Sequence, residues 1–111
     1  MAQISNLFVD QGSDYSSIVT VTSGNGSPLN LQNYTVRSQM RKSYGASIAY
    51  NFSAQVYDAI TGRIRMTLTA VQSEQIPAGR YLYDVEITSE SGAKKRVVEG
   101  IVTVTPQITQ T

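Results

Sequence analysis

The chain has 111 residues and a mass of 12.1 kDa, room for one domain and little more. Charged residues are only 15%, and nine Lys and Arg against eight Asp and Glu leave a net charge of +1, which argues against an affinity built on neutralising phosphates. Cysteine and histidine are both absent, which excludes a disulfide framework, a thiol nucleophile, a zinc site of the usual kind and the commonest general base.

A period of two recurs along the chain and predicts strands. Leu7-Phe8-Val9 is the first short apolar run. In residues 14–22, Tyr15, Val19 and Val21 share one parity, and Ile18 breaks the alternation. In 34–42, Val36 and Met40 alternate with Arg37, Gln39 and Arg41. Residues 48–56 place Ile48, Tyr50, Phe52, Ala54 and Val56 on one side, and 63–69 place Ile64, Met66 and Leu68 against Arg63, Arg65, Thr67 and Thr69. Residues 81–88 set Tyr81, Tyr83, Val85 and Ile87 against Leu82, Asp84, Glu86 and Thr88. Such alternation puts one side-chain set on a core and the other in water, and the β-branched and aromatic composition suits strands. The last run, 97–105, mixes both parities, with Glu99-Gly100 in its middle; a bulge is expected there.

The connections carry turn chemistry. Residues 23–28 (Ser-Gly-Asn-Gly-Ser-Pro), 58–62 and 89–93 read as hairpin connections. One segment departs from the pattern: 69–76 has helix-tolerant composition, Thr69 can cap it, and Pro77 and Gly79 stop it. It predicts one helical turn, near 71–75, crossing from one sheet to another. The whole reads as an all-β, immunoglobulin-like antiparallel sandwich of about seven strands, one domain over 1–111, with short extended termini, 1–6 and 106–111, expected as arms that pair with a neighbour. The expected core is Tyr15, Val19, Val21, Val36, Met40, Phe52, Val56, Ile64, Leu68, Tyr83, Val85 and Ile87.

Nothing in the sequence has the length of a membrane span, and the N-terminus lacks the charge and apolar stretch of a signal peptide. Synthesis in a cytoplasm is expected. The triplets at Asn25, Asn33 and Asn51 match glycosylation acceptors and read as chance matches in a Ser/Thr-rich chain.

Asp10 and Asp14 bracket a glycine, but a calcium loop needs six to eight oxygens and a closing Glu. A turn with Asp14 bonding local backbone fits better. Gly24-Asn25-Gly26 leads into no helix, so it reads as a hairpin tip and not as a phosphate loop. Arg37, Arg41, Lys42, Arg63 and Arg65 sit on outward parities of two strands and are expected to share a basic face. Asp84 and Glu86 are available to pair with them. With Tyr44 and Tyr50 nearby, the face also allows a nucleic-acid contact, and a solvated strand face that discourages edge-to-edge pairing is the plain alternative. Protein docking is a better use of such arginines than nucleic acid, since they recur at interface hot spots. Seven tyrosines with no tryptophan also allow a line of exposed rings for sugar binding. No nucleophile stands in a motif with a base beside it, so no enzyme, cofactor or metal is expected.

Four segments carry a resemblance. Residues 8–22, Phe-Val-Asp-Gln-Gly-Ser-Asp-Tyr onward, resemble the opening of small immunoglobulin-like domains in structural proteins of tailed bacteriophages. Residues 28–42 are similar to the pattern D/N-L-T-G-Y-x-V-x-x-Q-x-R-K of those domains, with Gln32-Asn33 where Thr-Gly is usual. Residues 68–87 resemble their helical turn followed by G-x-Y-x-Y-D-V, and 96–105 resemble their closing strand. The chain is thereby similar to the N-terminal domain of phage baseplate upper proteins and to repeats in cyanophage structural proteins. The resemblance implies a non-enzymatic virion component present in many copies. It would dock on capsid or on tail and baseplate proteins, as a capsid decoration or cement protein or a small tail accessory subunit, with no nucleic acid or membrane partner. Arg37, Arg41, Arg63 and Arg65 are the docking residues expected from the strand parities. An adhesin module binding carbohydrate on the virion surface is the alternative.

Overall fold

A computed structural model describes residues 3–23 and 26–108. The strands are β1 (Gln3–Ile4), β2 (Leu7–Asp10), β3 (Tyr15–Thr20), β4 (Thr35–Arg41), β5 (Tyr50–Asp58), β6 (Arg63–Leu68), β7 (Gly79–Thr88) and β8 (Lys94–Thr105), with one helix, α1 (Ala70–Glu74), between β6 and β7. Hydrogen bonding runs β1-β8-β7-β4-β5-β6-β3, and β2 also pairs with β8. β5 is the shared strand. Tyr50, Asn51 and Phe52 pair with β4, whereas Ser53, Ala54, Gln55, Val56 and Asp58 pair with β6, with Tyr57 left over at a bulge. The sheet therefore folds over at β5 into two layers, β8–β7–β4 and β3–β6–β5, which are the pairings of an immunoglobulin-like sandwich.

The inner sides of the two layers meet. Val19, Ile64, Met66 and Leu68 face Met40, Tyr83, Val85, Val98, Val102 and Val104, all buried. A chain of rings joins the layers: Tyr15 to Phe52 at 6.0 Å and Phe52 to Tyr83 at 6.1 Å between centroids, in the tilted and edge-on arrangements that aromatic quadrupoles favour. Of the expected core, Tyr15, Val36 and Val56 are half-buried, while Leu7, Val9, Leu31, Met66, Ile76, Tyr81 and the valines of β8 complete it.

α1 forms where expected. Thr69 Oγ1 accepts the Gln72 N–H and the Gln72 side chain accepts the Thr69 N–H, a reciprocal cap. Its Ser73 is fully buried, accepts the Gly12 N–H and donates to the Ser13 carbonyl. Asp14 accepts the Ala70 N–H at 2.7 Å. The turn after β2 is thus bound to a helix 56 to 61 residues away in sequence, and among the described residues Asp14 bonds this helix and not its own neighbours as expected. Asp10 instead accepts from the Thr105 hydroxyl.

Three features differ from expectation. First, β1 is an additional strand, and β1 and β2 run parallel to β8, so the sheet is mixed. Residues 3–6 are consequently part of the fold and not a free arm: Gln3 bonds Thr20 and Thr22, and the Tyr83 hydroxyl donates to the Ser5 carbonyl. Gln107 likewise donates its N–H to the Gln11 side chain; residues 1–2 and 109–111 of the expected arms lie outside the described residues, as do Gly24 and Asn25 of the hairpin tip. Second, the bulge is at Val97, not at Glu99-Gly100. Val85 pairs with Val98 and Glu86 with Arg96, which leaves Val97 over, and both valines are buried. Third, Gly100 stays in register opposite Tyr83. A Cβ there would overlap the Ser5 carbonyl, so this glycine is required by close chain approach.

Candidate docking face

The outward residues of β4, β7 and β8 form ordered rows across the strands. Arg37 lies opposite Glu86, Gln39 opposite Asp84 and Arg41 opposite Leu82. One strand on, Glu86 meets Arg96, Asp84 meets Glu99 and Leu82 meets Ile101, and Ile4 of β1 extends the Glu99 row. These side chains, with Tyr44 and Ser43 from the β4–β5 loop, line an open cleft of about 610 Å³.

Its charge is balanced and only partly paired. Arg96 bonds Asp84 and Glu99, each at 3.2 Å; the bond to Glu99 first, and then the Asp84 charge, push the guanidinium further toward its protonated form. Arg41 is oriented by the Ala46 carbonyl at 2.7 Å and by Gln39 at 3.3 Å. Among the described residues, Arg37 and Glu86 make no ion pair within 4.0 Å. Asp84, expected beside the strand arginines, is paired with Arg96 instead.

Apolar surface lies between these charges. Ile4 is 70% exposed, Tyr44 80% and Ile101 38%, and Phe8 on β2, opposite Thr103, is 70% exposed. Ile4, Tyr44 and Ile101 thus flank a charged middle of Asp84, Glu86, Arg96 and Glu99, and the cleft is mixed in character.

The four arginines do not share this face. Arg37 and Arg41 line the cleft. Arg63 and Arg65 belong to β6 in the other layer, where the Arg65 guanidinium stacks 4.4 Å from the Tyr57 ring centroid. The single basic face is corrected to two pairs on opposite layers. Lys42 leaves it as well, with its ammonium 4.6 Å from the Tyr81 ring beside a smaller hollow of about 380 Å³ with Ile48, Tyr50 and Pro77. The exposed tyrosines form no line: Tyr44 is at the cleft and Tyr57 is beside Arg65. Tyr44, expected near the strand arginines, lies at the cleft with Arg37 and Arg41; parity missed Ile4 and Arg96, which come from the unrecognised β1 and from a strand whose bulge moved its register. Buried tyrosines titrate late. Burial pushes the Tyr83 hydroxyl up to about 12, and those of Tyr15 and Tyr81 upward too.

No family model matches the chain, and no curated protein matches it. Solved structures do. An internalin-like protein of Listeria monocytogenes superposes with a TM-score of 0.51 at 16% identity, over 94% of this chain and 28% of that one. The SrpA adhesin of Streptococcus sanguinis superposes with a TM-score of 0.50 at 12% identity, over 96% of this chain and 56% of that one. This chain therefore spans about a quarter and about half the length of these two proteins. At such identities the likeness is one of fold.

Proposed function

We propose that this protein is a non-enzymatic structural component of a bacteriophage particle that docks on other virion proteins through the outer face of β8–β7–β4. It serves there as a capsid decoration or cement protein or as a small tail or baseplate accessory subunit. The observation that carries the reading is the cleft face itself, where exposed Ile4, Tyr44 and Ile101 sit among Arg37, Arg41 and Arg96 with their carboxylate neighbours. Protein is the partner such a mixed, charge-balanced face suits best; a nucleic acid would call for a basic excess. One copy binds weakly, and repetition around a shell or ring raises occupancy through avidity.

A second reading, a carbohydrate-binding adhesin module on the virion surface, rests on the 80% exposed Tyr44 ring beside the polar Ser43, Gln39 and Arg41. Co-sedimentation of purified protein with particles lacking it, run beside a glycan array, separates the two. Saturable attachment to particles with a blank array supports docking. A glycan signal removed by Tyr44→Ala, without particle attachment, overturns docking in favour of the adhesin.

A further inference from the structure

The sheet ends in two edges that are treated differently. On the β8 side the edge is cut into a two-residue and a four-residue strand, and the gap between them is filled by Asn6, whose side chain accepts the Ile101 N–H. Short, interrupted edges resist further pairing. On the other side, β3 ends the sheet with Tyr-Ser-Ser-Ile-Val-Thr, a continuous six-residue strand with no charge, proline or bulge.

Its free hydrogen-bonding groups can be assigned. Val21 donates its N–H inward to the Gly62 carbonyl, and the β3–β6 register steps back from there through Val19↔Ile64 and Ser17↔Met66. Bonding alternates along an antiparallel pair, so Ser16, Ile18 and Thr20 direct their backbone groups away from β6. At the Thr20 end the slot is filled: Gln3 donates to the Thr20 carbonyl at 3.0 Å and accepts the Thr22 N–H at 2.8 Å. Among the described residues, no bond outside the β3–β6 ladder reaches the Ser16 or Ile18 backbone. Ile18 is also 45% exposed.

We propose that the Ser16–Ile18 edge pairs antiparallel with the same edge of a second copy, joining two sandwiches through one continuous sheet. The occupant is a second copy because the open segment is self-complementary. With a two-fold axis at Ser17, Ser16 of each copy exchanges both backbone bonds with Ile18 of the other, giving four bonds without displacing either Gln3. No charge on β3 opposes the pairing. The nearest cations, Arg65 of each copy, stand beyond Ile18 on β6; three strand spacings put them about 14 Å apart, farther than the screening length of about 8 Å at physiological salt. Two short strands meeting edge to edge bury less than a standard interface, so the contact is weak and concentration-dependent. It does not rest on the virion reading and uses a different surface from the cleft.

Sedimentation equilibrium from micromolar to millimolar protein, paired with hydrogen exchange, tests it. The mass average should rise from 12.1 kDa toward twice that value, and exchange at the Ser16 and Ile18 amides should slow severalfold as it does. Ile18→Lys places a charge on the edge, and Ile18→Pro removes only an outward N–H; each should return the monomer mass with its unfolding transition retained. Arg37→Ser with Arg41→Ser should leave the dimer intact. A wild-type chain that stays at the monomer mass overturns the proposal. So does a dimer that forms with unchanged exchange at Ser16 and Ile18, or one that survives both edge variants.

Discussion

The two sides of the β8–β7–β4 layer share one backbone and have little else in common. Inward, Met40, Val85, Val98 and Val102 are fully or almost fully buried and tie this layer to the other. Outward, on the alternate residues of the same strands, Arg37, Asp84, Glu86 and Ile101 meet solvent around an open cleft. The core lies on one side and the proposed docking face on the other, separated by a single step along the chain. Substitutions on the two sides should therefore be separable.

The largest effect is expected inward. Met40→Ala removes a side chain with no exposed surface and should cost about 2–5 kcal/mol in urea unfolding, with particle attachment of the folded fraction unchanged. Tyr83→Phe is next. It leaves the ring but deletes the bond to the Ser5 carbonyl, a loss of about 1 kcal/mol, and should loosen β1, read as faster exchange at the Ser5 amide. The same residue gives a pH signature. Its folded pKa, raised by burial to about 12, exceeds the ordinary tyrosine value of 10.0, so the folded state holds a proton that the unfolded state releases. That stability is fully present below about pH 10 and is lost as pH rises through about 12. Tyr83→Phe should flatten this part of the wild-type stability curve.

Outward changes should be small. Arg96→Ala breaks both ion pairs, yet exposed pairs are worth about 0–1 kcal/mol, and the unfolding midpoint should barely move. Arg37→Ser with Arg41→Ser should change stability least.

Parity made much of this legible. The period of two placed six long strands, and Thr69 with Pro77 placed the helical turn. Direction of pairing was not legible, because Leu7 to Val9 alternates identically in a parallel or an antiparallel ladder. β1 has two residues, too few for any period. The bulge was sought at Glu99-Gly100 because glycine inside a strand often marks one, but here the glycine clears the Ser5 carbonyl, a contact 95 residues distant. The arginines show the same limit most clearly. Parity correctly turned Arg37, Arg41, Arg63 and Arg65 outward, but it cannot say which outside, and the crossing of β5 between layers sends the two pairs to different faces.

On the proposed reading, the outer face of β8–β7–β4 binds a partner without supporting the fold. The decisive measurement is attachment to particles lacking the protein, made alongside thermal unfolding of the same Arg37→Ser, Arg41→Ser variant. An unfolding midpoint close to wild type together with loss of saturable attachment is expected. Attachment at wild-type occupancy by the fully folded variant would refute docking through this face.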